Sequence, residues 1–219
     1  MSFLVNSLEK MGYMWAYRVV DKLAFGVPQR RRRVILLASL NDDPRTVLFA
    51  DNTSPDLPAY SADKACGFYW TEGNSGIGWA VDAVPPLKGG SSLGIASPPA
   101  IWLRNGAGIG TPDVRDAERL QGFPANWTLP AINGGRKGFR WRLIGNAVSV
   151  PVAAWIGGRL RRPGKYDATG ETPLANDDHW PNAAWGKAGK AYAVDVGPWP
   201  KKLKTLGLRE FLRFPTKPL

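Results

Sequence analysis

The chain has 219 residues, of which 44% are hydrophobic and 11% aromatic. This composition supports a buried core and excludes collagen-like, low-complexity and wholly disordered classes. Lys and Arg outnumber Asp and Glu by 29 to 18, which gives a formal charge of +11 and a sequence pI near 10.0. A surplus of this size is compatible with a polyanionic partner such as nucleic acid, but it does not by itself identify one.

The apolar runs and the few metal-ligating residues limit the class of protein further. The longest apolar runs, residues 34–38 and 150–156, are much shorter than the roughly 20 residues that a membrane-spanning helix needs. Cys66 is the single cysteine and His179 the single histidine, so the sequence allows no internal disulfide and lacks ligands for a tetrahedral zinc site. We therefore expect a cytoplasmic protein with no metal site and no membrane partner.

The N-terminal residues predict one helix followed by two strands. Apolar residues recur at helical spacing over residues 2–11, and Gly12 stands where a glycine ends a helix. Residues 13–20 alternate in polarity and predict a strand, whereas residues 33–39 hold an apolar run typical of a strand buried on both faces. This order indicates an α/β fragment.

The middle of the chain has a different composition. Residues 40–111 contain ten glycines and seven prolines, and short aromatic or apolar pieces interrupt them at 68–70 and 101–103. Glycine and proline mark turns, and the pieces between them are as long as short strands. We therefore predict a separate, loop-rich β module.

Helical patterns return after this module. Thr111 as an N-cap and Gly122 as a closing glycine predict a helix between them, and a second helix is predicted over residues 148–160. After Arg162 the chain is rich in Pro, Gly, Trp and Lys. We expect a partly ordered tail, packed as a Trp-anchored strap on the last helix; stacking on nucleic-acid bases is the alternative for its tryptophans.

The densest signal is a glutamine followed by four arginines. Alternation along a strand places Gln29, Arg31 and Arg33 on one face and Arg30 and Arg32 on the other. Four arginines that lead into a buried strand are costly unless polar or anionic groups pair with them. Guanidinium groups can grip a phosphate bidentately or polarise a carbonyl oxygen. The run predicts an anion or base-edge site, with a solvated strand end as the alternative.

This run resembles the Gln-x-Arg-x-Arg motif of DNA cytosine-5 methyltransferases, and two later segments agree with that family in order and spacing. Residues 115–124, RDAERLQGFP, resemble the penultimate motif, a helix that orders the base of the target-recognition module. Residues 144–148, IGNAV, resemble the last motif, a turn that opens the terminal helix. The resemblance covers residues 1–160. It implies a partial mixed-sheet, Rossmann-like α/β methyltransferase domain with an inserted loop-rich β module.

The resemblance also implies catalytic roles. Methyl transfer to cytosine C5 requires a base flipped out of the duplex and stabilisation of the negative charge that grows at O2 and N3. By resemblance, Arg33 would bind cytosine O2, Arg31 would hold the nearby backbone or active-site loop, and Gln29 would orient them.

The cofactor implied by the resemblance is S-adenosylmethionine, and its contacts would be Asn146, Ala147 and Val148. We expect Asn146 at a helix start, where free backbone N–H groups and the helix dipole favour a carboxylate. Family members often carry a hydroxyl residue directly after this asparagine. Ala147 offers only its backbone N–H.

Residues that the family needs for catalysis are missing from this sequence. The family's nucleophile is the cysteine of a Pro-Cys dipeptide, whereas Cys66 follows an alanine and comes after the arginine run. The Phe-x-Gly-x-Gly cofactor loop and the Glu-Asn-Val segment are absent as well. We therefore expect the cofactor to be bound mainly by a missing N-terminal half, and this chain alone to be inactive.

The insert occupies the place of the family's target-recognition domain, which reads bases through loops in the major groove. Arg and Lys pair with guanine, and Asn pairs with adenine. Pro86-Leu87 stands where the family has a Thr-Leu dipeptide that supports the flipped nucleotide, so that hydroxyl is lost. The candidate DNA-binding residues are Arg30, Arg32, Lys64, Lys88, Arg104 and Asn105.

We predict four parts: 1–43 as the C-terminal part of the catalytic α/β domain, 44–110 as the target-recognition domain, 111–162 as closing helices that return to the catalytic domain, and 163–219 as a Trp/Lys-rich tail. The predicted function is the DNA-recognition portion of a cytosine-5 methyltransferase of restriction-modification type. Its partners would be double-stranded DNA and an N-terminal half that carries the Pro-Cys nucleophile. Two alternatives stay open: a degenerate, non-catalytic DNA-binding or decoy protein, and a basic RNA-binding protein.

Overall fold

The computed structural model describes residues 1–69, 77–90, 96–104, 108–134, 138–175 and 179–219. Within these ranges the helices are α1 (Ser2–Lys10), α2 (Arg45–Leu48), α3 (Val114–Gln121), α4 (Phe139–Asn146), α5 (Val150–Arg161) and α6 (Leu208–Phe211). The strands are β1 (Met14–Asp21), β2 (Arg32–Ser39), β3 (Cys66–Phe68), β4 (Ala80–Val81), β5 (Ala100–Trp102), β6 (Ile109–Thr111), β7 (Glu171–Pro173), β8 (Ala183–Lys187), β9 (Lys190–Val194) and β10 (Lys217–Pro218).

The chain divides into two compact units, each built on one antiparallel sheet. The first unit has the strand order β2-β1-β8-β9-β7 and comprises Met1–Ala24, Arg32–Asp56 and Ala153–Lys202. The second has the order β10-β6-β5-β3-β4 and comprises Phe25–Arg31, Leu57–Val152 and Leu203–Leu219. The predicted α/β class is confirmed, and the insert does contain short strands.

Strand β1 lies between β2 and β8 in the first sheet and is buried along most of its length. Trp15 and Tyr17 lie on one of its faces and stack with their ring centroids 6.2 Å apart. Trp180 tilts against both rings, and Val5 from α1 and Ala184 from β8 complete this buried cluster. Alternation along β1 therefore buries an aromatic pair on one face of the sheet.

The opposite face of β1 carries a buried arginine. Arg18 has no exposed surface, and its guanidinium donates hydrogen bonds to the carbonyls of Leu48, Asp51 and Gly197 and to the side-chain oxygen of Asn52. Burial lowers the pKa of Arg18 to about 10, so the group still carries its charge at neutral pH. These bonds satisfy the charge and fasten two distant segments to β1.

Strand β2 lies at the edge of the first sheet, and the prediction that it is buried on both faces is wrong in this structure. Its first three residues are exposed and the other five are half-buried; Val34 is 50% exposed. Among the described residues, β2 pairs only with β1. Long apolar edge strands are normally covered or paired in folded proteins.

The tail is not the partly ordered strap that its composition predicts. Strands β7, β8 and β9 belong to the first sheet, and β8 pairs directly with β1. The rings of Trp185 and Tyr192 stack 4.8 Å apart, and the Arg45 guanidinium lies 4.1 Å from the Trp185 ring. In the second unit, Leu208 and Phe211 of α6 are buried in the core. The tail therefore forms part of both units.

Helix α3 begins later than predicted. Asp113 is the N-cap and accepts a hydrogen bond of 2.9 Å from the backbone N–H of Arg115, whereas Thr111 ends β6 opposite Lys217. The C-terminal prediction is confirmed, because Gly122 closes the helix with φ at 91°. Aspartate competes well as an N-cap because its carboxylate accepts from the first free N–H groups.

The apolar face of α3 packs into the core of the second unit together with the sheet, α4 and α6. The buried residues of this core are Val27, Ala65, Val84, Leu87, Ile101, Ala117, Leu120, Ile144, Leu208 and Phe211.

The polar side of α3 carries two carboxylates that are completely buried. Asp116 accepts a hydrogen bond of 2.6 Å from Arg119 and further bonds from the backbone N–H groups of residues 213–214. Glu118 accepts bonds from the backbone N–H and hydroxyl of Thr128 and from Arg140 on α4, the last at 2.8 Å. Each carboxylate thus holds a different segment against α3.

One stretch, Phe139–Arg161, contains an 18-residue window with a mean hydropathy of 1.2, of which 17% is buried. The helix is interrupted at residues 147–149, between α4 and α5. Its length and composition alone are weak grounds for a membrane span.

We predict that Tyr17→Phe flattens the alkaline loss of stability. Burial raises the pKa of Tyr17 to about 12. Between about pH 10 and 12 the unfolded chain releases this proton while the folded chain retains it, so folding becomes less favourable by about 1–2 kcal/mol. Tyr17→Phe removes this part of the pH dependence. It also leaves the Pro181 carbonyl without its 2.8 Å hydrogen bond at every pH. Urea unfolding at pH 8 to 12 measures both effects; the exposed Tyr60→Phe is the control, and an equal slope in both variants would contradict the prediction.

A second prediction concerns the buried ion pair of the second unit. Glu118→Ala leaves the Arg140 charge buried without its acceptor, so we expect the free energy of unfolding to fall by about 3–5 kcal/mol. Arg140→Ala should have an effect of similar size, and the double variant should lose less than the sum of the two. Asp113→Ala, which removes an N-cap from the same helix, should cost only about 1 kcal/mol. Additive losses in denaturant unfolding would show that the two groups do not interact.

Candidate functional site

The arginine run is divided between a bend in the second unit and a strand in the first. Gln29 is completely buried, and its backbone pairs with Val84 in an isolated parallel bridge. The N–H of Arg30 donates to the Val84 carbonyl over 2.9 Å, while the Arg30 side chain is exposed. The backbone of this bend is therefore fixed, and Arg30 points its charge to solvent.

Arg31 reaches the segment that resembles the family's last motif. Its Nη2 donates to the carbonyl of Ala147 over 3.4 Å, across a separation of 116 residues. Both residues belong to the second unit. The structure thus brings together the arginine run and the IGNAV segment, while the role given to Arg31 in catalysis stays a prediction.

Arg32 and Arg33 begin β2 and are both exposed. The Nε of Arg32 lies 3.3 Å from the buried carboxylate of Asp21, the residue opposite it in the β1–β2 register. The Nη1 of Arg33 donates to the carbonyl of Arg32 over 2.7 Å. In the described part of the chain no carboxylate forms an ion pair with Arg33, so its charge can meet an incoming acceptor.

Asn146 does not start a helix, and this prediction is wrong. It is the last residue of α4, Ala147 continues in an extended conformation with ψ at 149°, and α5 starts at Val150. The N–H of Ala147 donates to the Ile144 carbonyl, and its own carbonyl accepts from Arg31. A helix C-terminus carries negative partial charge, which disfavours a carboxylate at Asn146, whereas the N-terminus of α5 begins at Val150. The contacts of Asn146, Ala147 and the exposed Val148 with the cofactor therefore rest on the resemblance alone.

The glycine of the IGNAV segment allows two backbones to approach each other closely. A Cβ at Gly145 would overlap the backbone N of Gly89 and the carbonyl carbon of Lys88. Because both contacts are with backbone, neither can move away, and only glycine fits. The Nε2 of Gln121 on α3 donates to the Ile144 carbonyl over 2.8 Å, which connects the penultimate motif to the last.

The candidate DNA-binding lysines of the insert each have a partner within the protein. The Nζ of Lys64 lies 3.9 Å from a carboxylate oxygen of Asp82, and the Nζ of Lys88 lies 4.6 Å from the centre of the Tyr69 ring. Asn105 lies outside the described residues. The DNA contacts of these three residues stay predictions.

Arg104 of the insert is held by two aromatic rings and one carbonyl. Its guanidinium lies 4.6 Å from the ring centres of both Tyr60 and Trp102 and donates to the Ser61 carbonyl over 2.9 Å. Stacking of this kind holds the planar group in one orientation and reduces the entropy lost on binding.

The sequence prediction missed Glu118, Arg140 and Asp116, which fasten α3 to α4 and to residues 213–214. The sequence predicted the helix that ends at Gly122 but gave its carboxylates no role. Two acidic residues on a helix that also carries a buried apolar face are a usable signal, yet their partners lie far away in sequence and cannot be read locally.

Two further positions bear on catalysis. Cys66 is completely buried in β3, and burial raises the pKa of its thiol, which opposes formation of a nucleophilic thiolate. Leu87 of the Pro86-Leu87 pair is buried in the core of the second unit. Among the described residues, no three His, Cys, Asp or Glu side chains are grouped so that they could hold a metal ion.

Comparison with known proteins identifies the family. The family model of C-5 cytosine-specific DNA methylases matches residues 2–66 and 112–162, which is more than half of the chain and leaves out most of the insert. The solved structure of the Entamoeba histolytica methyltransferase EhMeth covers 73% of this chain and 58% of its own with 14% identity and a TM-score of 0.40, a match too slight to carry an argument.

Three curated relatives agree with the family model. The chain is 50% identical over 227 residues to the Type II methyltransferase M2.BsuMI of Bacillus subtilis (strain 168), covering 100% of this chain and 58% of that protein. It is 28% identical to the Type II methyltransferase M.NaeI of Lentzea aerocolonigenes, over 81% of this chain and 48% of the relative. It is 25% identical to the Type II methyltransferase M.MspI of Moraxella sp, over 70% of this chain and 39% of the relative.

The chain thus spans between 39% and 58% of the length of these relatives. Two of the three motifs, the arginine run and the IGNAV segment, meet at the Arg31–Ala147 contact, and the third is joined to them through Gln121. The chain therefore belongs to the family of C-5 cytosine-specific DNA methylases.

Proposed function

We propose that this chain is the DNA-recognition portion of a cytosine-5 methyltransferase of restriction-modification type. The observation that carries the proposal is the contact between Arg31 and Ala147, because it joins two motifs of the matched family into one site. Joined with an N-terminal half, the chain would support transfer of a methyl group to C5 of a flipped cytosine in double-stranded DNA.

In this proposal the arginine run provides the electrostatic part of catalysis. Arg33 would direct its exposed guanidinium at cytosine O2, where negative charge grows as a nucleophile adds to the ring. Arg31 holds the backbone at Ala147, and the buried Gln29 fixes the bend that carries them. S-adenosylmethionine supplies the methyl group, and we assign its binding mainly to the partner half, because this sequence lacks the family's Phe-x-Gly-x-Gly cofactor loop.

DNA binding is assigned to residues of the bend and of the insert. Arg30 is exposed, and the side chain of Arg32 is half-exposed although its Nε bonds to Asp21; both suit backbone phosphates. Arg104, clamped between two rings, suits a base edge, since a preoriented fork can bind guanine bidentately. Lys64, Lys88 and Asn105 complete the proposed set.

The exposed edge of β2 supports the proposal of a partner half. This strand is eight residues long, mostly apolar and unpaired along one edge in the described residues. A strand from the partner could pair there and bury residues such as Val34.

The missing Pro-Cys dipeptide also favours a second candidate, a non-catalytic DNA-binding protein, which would need no such partner. In both cases we assign the protein to the cytoplasm.

The proposal predicts that methylation requires both halves. We expect the purified chain to bind duplex DNA but to transfer no methyl group from labelled S-adenosylmethionine. Addition of a chain that carries the cofactor loop, the Pro-Cys dipeptide and the Glu-Asn-Val segment should restore transfer. Methylation by the chain alone would contradict the need for a partner.

Amide hydrogen exchange gives a separate readout of the same prediction. Residues 34–38 of β2 should become protected when the partner binds, while the β8–β9 turn at residues 187–190 serves as the control. Restored transfer without protection of β2 would keep the split enzyme and exclude this edge as its contact. If the added chain neither restores transfer nor protects β2, the result favours the non-catalytic protein.

Two arginine substitutions separate catalysis from binding. In the reconstituted enzyme, Arg33→Ala should lower the methylation rate by about 100-fold or more and change DNA affinity by less than threefold, because O2 stabilisation acts chiefly in the transition state. Arg30→Ala should do the reverse, weakening binding and lowering its salt dependence with a small effect on rate. Single-turnover rates and binding titrations measure both. Equal losses of rate and affinity in Arg33→Ala would mean that it only grips phosphate.

A further inference from the structure

A basic pocket in the first unit is lined by residues that the proposed function does not use. Its volume is about 240 Å³, and it opens beside the second half of α5. The residues that line it are Ala154, Trp155, Gly158, Arg159, Arg162 and Lys201. Three of the six are cations, and no acidic residue is among them.

Arg159 is held in place by a carboxylate behind the pocket. Asp51 accepts a hydrogen bond of 2.7 Å from the Nε of Arg159 and one of 2.8 Å from the indole N–H of Trp155. Burial raises the pKa of Asp51, but the bonds from Arg159 and Trp155 outweigh burial and hold that pKa below its usual value. The charge of Asp51 therefore balances Arg159 and fixes its position.

Within the described residues, the other two cations have no ion-paired carboxylate of their own, although Lys201 is near enough to Asp51 to help lower the pKa of that carboxylate. In the part of the chain that the structure describes, no carboxylate lies within ion-pair distance of Arg162 or Lys201, whereas the neighbouring Lys202 is paired with Asp56 at 3.0 Å. Like charges that converge on one small pocket repel each other, and a bound anion would remove that repulsion.

The shape of the pocket also leaves room for a ligand. Its wall on α5 is made by two small residues, Ala154 and Gly158, and no heavy atom lies within 4 Å of the position that a Cβ on Gly158 would occupy. A tetrahedral oxyanion matches the donors present. Arg162 can bind two of its oxygens at once, Lys201 adds a mobile charge, and Arg159, whose Nε and Nη2 bind Asp51, offers its Nη1.

We infer that this pocket binds a phosphate group through Arg159, Arg162 and Lys201. The phosphate can come from the DNA backbone or from a small phosphate compound, and the positive charge of the chain favours DNA. The DNA source rests on the proposed function, whereas the phosphate chemistry of the pocket does not.

Two adjacent glycines of α5 provide a matched test. Gly157 and Gly158 are both exposed and have no neighbouring atom within 4 Å of a Cβ, but only Gly158 lines the pocket. Gly158→Leu should fill the pocket and Gly157→Leu should leave it open, while both should strengthen the helix to the same extent. Arg162→Gln combined with Lys201→Gln removes the charge without filling the pocket.

Duplex DNA binding at several salt concentrations is measured on the full chain. We expect the slope of log affinity against log salt to fall by about 1–2 in Gly158→Leu and in the double Gln variant, and to stay unchanged in Gly157→Leu. A parallel titration with inorganic pyrophosphate, followed by thermal unfolding, should show stabilisation of the wild type and Gly157→Leu and its loss in the other two.

The two titrations separate the possible results. Equal behaviour of the two leucine variants in both titrations would overturn the inference. An effect on pyrophosphate alone would overturn the DNA source and keep a site for a small phosphate compound. A wild-type chain that does not bind duplex DNA would contradict the proposed function, while the pyrophosphate titration would still decide the pocket.

Discussion

The buried ion pair between Glu118 and Arg140 is the interaction on which the candidate site depends. It joins α3 to α4 at a point where both side chains are buried, and the hydroxyl of Thr128 bonds to both groups. Because α4 is fixed in this way, its last turn meets Gln121, and the following residue, Ala147, lies within reach of Arg31. The site is thus assembled by one charged contact and two hydrogen bonds.

A buried ion pair of this kind contributes more to specificity than to net stability. Removing two charges from water is costly, and the attraction between them offsets that cost only when the remaining donors and acceptors are satisfied. Glu118 meets this condition with bonds from Asn126, Thr128 and Arg140. An alternative packing of α4 would leave these groups unsatisfied, so the network selects one position for the IGNAV segment, and Gly145 permits the close approach to residues 88–89 that this position requires.

Local patterns predicted the elements whose partners are close in sequence. Helix α1 and strand β1 follow from their periodicity, the insert follows from its glycines and prolines, and Gly122 ends α3 as predicted. The predictions are wrong where burial or pairing depends on a segment that is distant in the sequence. The apolar run of β2 predicts a buried strand, yet the exposure of β2 depends on which strands lie beside it. The sequence predicts a loose tail at residues 183–194, because β8 pairs with a strand, β1, that lies more than 160 residues away in the chain.

The sequence by itself determined the family, the three motifs and the chemistry of the arginine run, because motif residues are close together in the chain and their types alone specify what they can bind. Only the tertiary structure decided that Asn146 ends a helix, that Arg31 contacts Ala147, and that Glu118 and Arg140 are paired inside the second unit. These features depend on burial and on contacts between distant segments, and both follow from how the whole unit excludes water.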